Sequence, residues 1–127
     1  SALECLLAWE GCDAVIHLGI LGRRHFVTRL ADTAETADPG GSCESCALAR
    51  QALADFEAHY IKEIARLMAH YQKPVVGVRL LTASSDRTVY PLDDGPYAAV
   101  FYETPERAVR AIAGMADYHR FLRLPEK

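Results

Sequence analysis

Pro74-Val75-Val76-Gly77-Val78-Arg79-Leu80-Leu81 is an apolar run with one glycine and one charge, and its reading decides the fold class. It shows no polar alternation and its first half is β-branched, the pattern of a strand covered on both faces of a parallel sheet. Pro74 stands at its start, where no ladder donor is needed. Two shorter runs share this character, Asp13 to Leu18 (DAVIHL) before it and Ala98 to Tyr102 (AAVFY) after it. Helical patterns separate them, so the expected fold is α/β with a small parallel sheet. DAVIHL should lie beside PVVGVRLL, with AAVFY next to the latter.

Outward from these strands, Ala2 to Trp9 carries Leu3, Leu6 and Leu7 at helical spacing and stops at Gly11, although Ser1 offers no obvious capping context. The longest helix begins at Ser42 as its cap and carries Leu48, Phe56, Tyr60, Ile64, Leu67 and Tyr71 before Lys73-Pro74 ends it. At 1.5 Å per residue it reaches roughly 45 Å, whereas a domain of this size is only about 36 Å across. Its N-terminal turns should therefore overhang the carboxyl ends of the strands, where ligand sites form in α/β sheets. Ala31 to Gly41 (ADTAETADPGG) has no apolar period and reads as a mobile loop. Thr82 to Asp94 mixes loop residues with a strand-like Thr88-Val89-Tyr90, and Thr104-Pro105-Glu106 opens a last helix that runs to about Leu122. Val109, Ile112, Ala116 and His119 share one face of that helix.

The 127 residues, half of them apolar and 24% charged, fit one globular domain spanning 1–127. A net charge of −3 offers no bulk attraction to phosphate backbones, so nucleic acid is not the expected partner. No stretch reaches the roughly 18 apolar residues of a membrane span and no signal peptide opens the chain, which reads as cytoplasmic with no membrane partner. The abrupt start and thin sheet suggest a fragment of a longer chain. Charge is uneven: Asp32 to Glu57 holds six acids against Arg50 alone, a pattern that usually marks a solvated face.

Three groups of residues are candidates for chemistry. Gly19-Ile20-Leu21-Gly22-Arg23-Arg24 follows the first strand; glycines allow close backbone approach and paired guanidiniums suit an anion. Gly19, Gly22, Arg23 and Arg24 are thus a weak candidate phosphate site, against the alternative of a tight turn with solvated arginines. Cys43 and Cys46 form a C-x-x-C at a helix start, where the dipole favours thiolate. The pair follows a loop rather than a strand and lacks two further ligands, so redox or zinc chemistry is the minor reading. Cys5 lies where its helix could bury it against the first strand. The histidines show no metal-ligand spacing; His17 reads as a core or edge residue bonded through its ring, and His119 as a packing residue. No catalytic residue and no metal site can be assigned from spacing.

GCDAVIHLGILG, YQKPVVGVRLL and DDGPYAAVFYETPERAVRAIAGMADYHRFLR together resemble the C-terminal CoA-ligase domain of the NDP-forming acyl-CoA synthetases, relatives of succinyl-CoA synthetase. The resemblance covers Ser1 to Ile20 and Gln72 to Arg123, and its most specific part is Gly95 to Arg123. Tyr97-Ala98-Ala99 departs from the family's Ile-Pro wording, and Arg23 to Gln72 is expanded beyond its pattern. It implies a three-layer flavodoxin-like fold and a part in joining a carboxylate to CoA through a phosphohistidine, with CoA and ATP or ADP bound elsewhere in the full-length protein. The implied partners are the other domains or subunits of the synthetase, and the domain alone is expected to be inactive. None of the five histidines corresponds to the phosphorylated one, and the family's Gly-Gly phosphate turn does not precede Ser1. The runner-up is a non-catalytic flavodoxin-like module whose overhanging helix, Leu48 to Phe56, docks a partner.

Overall fold

The computed structural model describes residues 1–37, 44–92 and 95–124. Among them the order is α1 (Ala2–Ala8), β1 (Val15–Leu18), α2 (Arg23–Ala37), α3 (Glu44–Tyr71), β2 (Val75–Val78), β3 (Val89–Tyr90), β4 (Ala99–Tyr102) and α4 (Pro105–Leu122). The sheet order is β1-β2-β4-β3. Strand β1 pairs parallel with β2, with Val15 opposite Val75, and β2 pairs parallel with β4, with Val76 opposite Val100. The short β3 closes the far edge antiparallel to β4. The parallel core is thus the expected one in order and direction, and the strand-like Thr88-Val89-Tyr90 supplies the antiparallel edge.

Alternation along the strands divides the apolar residues between two faces. Val15, Val75, Ala99 and Phe101 pack with Leu7 of α1 and Ile64, Ala65, Leu67 and Met68 of α3. Val76 and Val78 meet Ala108 of α4, with Ile16, Tyr102 and Ile112 at the margin. Gly77 has a packing reason: a Cβ there would overlap the Phe101 ring and the edge of His17. Helix α4 starts as its sequence directs, with Thr104 Oγ1 accepting from Arg107 N at 3.4 Å and Pro105 in the first turn.

Several expectations are corrected. Residues 31–37 are not loop but the end of α2, whose polar sequence gives no apolar stripe to read. Ser1 does cap α1, its Oγ accepting from Glu4 N at 3.2 Å while the Glu4 side chain returns the bond. The core-facing stripe of α4 is turned by one residue: Ala108 is buried and Val109 exposed, and His119 lies exposed instead of packed. Cys5 is exposed as well. Ser42, the expected cap of the long helix, and residues 38–41 lie outside the described residues. Helix α3 has 28 residues, about 42 Å. Its buried positions all lie between Glu57 and Met68, while Leu48 in the earlier turns is 72% exposed. The N-terminal half of α3 packs against α2 and not on the sheet. Among the described residues, no helix is long and apolar enough to cross a membrane.

Candidate functional site

The turn from β1 into α2 sits at the carboxyl end of the sheet and is held by its glycines. Gly19 and Gly22 both have positive φ, +70° and +89°, a region that side chains with a Cβ rarely enter. Gly22 also lies so close to the backbone of Leu81 that a Cβ would overlap its carbonyl oxygen. Its amide donates to Glu57 Oε1 of α3 at 2.9 Å, so a carboxylate from the protein itself occupies the N-terminal end of α2. Arg24 Nε lies 3.4 Å from the other Glu57 oxygen, an ion pair without hydrogen-bond geometry that leaves this buried nitrogen unbonded. Arg23 turns away and donates through Nε to Gly19 O at 3.0 Å. The four residues of the candidate phosphate turn are therefore adjacent, but two of their donors already face an internal anion.

A second carboxylate organises the neighbouring loop. Asp86, its side chain 3% exposed, accepts from Ala83 N at 2.9 Å and contacts His25 Nε2 at 3.0 and 3.2 Å. Arg24 Nη2 approaches it at 3.4 Å and Arg79 Nε at 4.0 Å. Burial works to raise the Asp86 pKa, but the Ala83 amide, His25 and Arg79 outweigh it and hold the carboxyl below its ordinary value. Arg79 is itself buried; it donates to Phe101 O at 3.1 Å and to Tyr90 Oη at 2.9 Å, with its guanidinium over both rings. Two carboxylates and two guanidiniums thus tie α2, α3 and the loop after β2 into one polar cluster.

Beside this cluster a cleft of about 480 Å³ opens between α2 and α3. Arg24, His25 and Thr28 line one wall, Arg50 and Gln51 the other, and Ser85 its end. No acidic residue is among the described residues that line it.

Cys46 is disulfide-bonded, which withdraws its sulfur from thiolate chemistry in this state, and Cys43 lies outside the described residues. Among the described residues, no group of three or more His, Cys, Asp or Glu could hold a metal ion. His17 packs edge-on against Tyr60 and Phe101, with ring centroids 5.4 Å away in each case. Contrary to the expected ring bond, both its nitrogens are buried without a partner. Burial lowers its pKa to about 4.

Sequence reasoning missed Glu57, Arg79 and Asp86. The signal was present for one of them: Arg79 is a lone charge inside an apolar strand run, and a buried guanidinium requires a counter-ion. No family model, no curated protein and no solved structure matches this chain.

Proposed function

We propose that this chain serves as a flavodoxin-like CoA-ligase domain of an NDP-forming acyl-CoA synthetase-like protein. The observation that carries the reading is the Gly95 to Arg123 segment, the most family-like part of the sequence, which runs as strand β4, a Thr104 cap with Pro105 in the first turn, and helix α4. A second observation agrees with inactivity of the domain alone. The amide of Gly22, the turn donor closest to a phosphate cradle, is already bonded to Glu57. In this reading nucleotide, CoA and the phosphohistidine are supplied by other domains, and these residues contribute a rigid α/β support against which they dock.

The test is acyl-CoA formation from ATP, CoA and a panel of short carboxylates, followed as CoA thiol loss. The expected outcome is turnover by the full-length protein that contains these residues and none by the 127 residues alone. Turnover by the isolated chain contradicts the proposal, as does a full-length protein that binds neither CoA nor nucleotide. The exposed Leu48 and Phe56 on the half of α3 that leaves the sheet favour a second reading, a non-catalytic docking module. That reading gains if the full-length protein is inactive while Leu48→Glu abolishes a stable complex.

A further inference from the structure

We propose that the cleft between α2 and α3 binds a phosphate group, free or esterified to a small organic molecule, through Arg24, Arg50, His25 and Ser85. This inference is independent of the synthetase reading and concerns a different place from the Gly19 to Gly22 turn. Among the described residues the lining is cationic and polar and includes no carboxylate; Glu57 and Asp86 stand behind Arg24 and His25, and Asp55 accepts from Gln51 at 2.9 Å. Arg24 is held by two carboxylates, Glu57 approaching its Nε and Asp86 its Nη2, while its side chain stays 42% exposed and lines the cleft. No described residue bonds its Nη1. His25 is oriented in the same way, with Nε2 against Asp86 and Nδ1 without a partner among the described residues. Arg50 on the opposite wall is exposed and forms no ion pair with any described residue.

A guanidinium held by buried carboxylates loses little freedom when it binds, which is the preorganisation a small anion needs. Donors reach the cleft from α2, from α3 and from the loop after β2. That suits the tetrahedral oxygens of phosphate better than a planar carboxylate, which one guanidinium can satisfy alone. Ala47 and Ala54 leave the α3 wall free of bulk. The volume of about 480 Å³ falls within the range of roughly 300–1,000 Å³ usual for small-molecule sites, so an organic substituent fits beside the phosphate.

The experiment titrates the full chain with inorganic phosphate and, separately, with phenyl phosphate at constant ionic strength, reading backbone amide shifts by NMR. Saturable shifts are expected at residues 24, 25, 28, 50, 51 and 85. Arg50→Gln removes a side chain that supports nothing in the fold and should weaken binding about tenfold, the loss typical of one charged hydrogen-bond partner. Arg120→Gln, on α4 and outside the cleft lining, should leave affinity unchanged. Tighter binding of phenyl phosphate identifies an ester as the fitting ligand, and equal binding identifies the phosphate group alone; both support the site. No saturable shift at these residues, unaltered affinity in Arg50→Gln, or an equal loss in Arg120→Gln overturns it.

Discussion

His17 shows how a single side chain can set the acid response of a fold. Its ring fills the space above Gly77 between Tyr60 and Phe101, and no partner compensates a charge there. Its pKa falls from 6.5 to about 4 through burial, so between these values the unfolded chain binds a proton that the folded chain refuses. Stability must therefore decline as pH drops from 6.5 towards 4 and level off below, by roughly 3 kcal/mol for a shift of this size. Urea unfolding across that range should show the decline in the native protein and its absence in His17→Leu; an identical slope in both would remove His17 as the cause. The histidine was legible as a core residue from its place in DAVIHL. Its lack of a ring partner was not, because that depends on which side chains α3 and β4 bring across.

At the scale of elements, α2 and α3 explain both the failure and the success of pattern reading. The start of helix α4 was legible because Thr104, Pro105 and Glu106 announce it locally, while its core face was not, Ala108 being buried where Val109 was expected. Helix α2 was not, because Phe26 and Leu30 are half exposed and its ordering comes from contact with α3 and from Glu57 at its N-terminal end. Tertiary contact overrides a weak local signal. The same long-range logic governs Asp86, which joins the loop after β2 to His25 and Arg24 of α2 and lies near Arg79. Asp86→Asn keeps the shape but leaves buried Arg79 without its counter-ion, an uncompensated charge that destabilises by about 3 kcal/mol. Because the native carboxyl is held below its ordinary 3.8, its contribution is present above that pH and is lost as pH falls through the lower folded value. Thermal melts at neutral pH should show the variant well below the native protein, with the gap closing in strong acid. Equal melting at neutral pH would show that Tyr90 and Phe101 suffice to hold Arg79.

The whole molecule joins a sheet that was readable from three apolar runs to a helical pair that was not. The parallel order of β1, β2 and β4 centres on β2, which is buried on both faces, while β1 and β4 beside it are only partly covered. The polar cluster at their carboxyl ends arises only when residues far apart in sequence, Gly22 and Glu57 or His25 and Asp86, come together. That is why the glycine turn was found and its internal carboxylate was not. The central claim, a support domain in a synthetase whose phosphorylated histidine lies elsewhere, has one direct measurement. The full-length protein containing these residues is incubated with γ-labelled ATP, and the acid-labile phosphate is mapped by mass spectrometry. The account predicts a phosphohistidine outside residues 1–127. Absence of acid-labile label, or label on His17, His25, His59, His70 or His119, would contradict it.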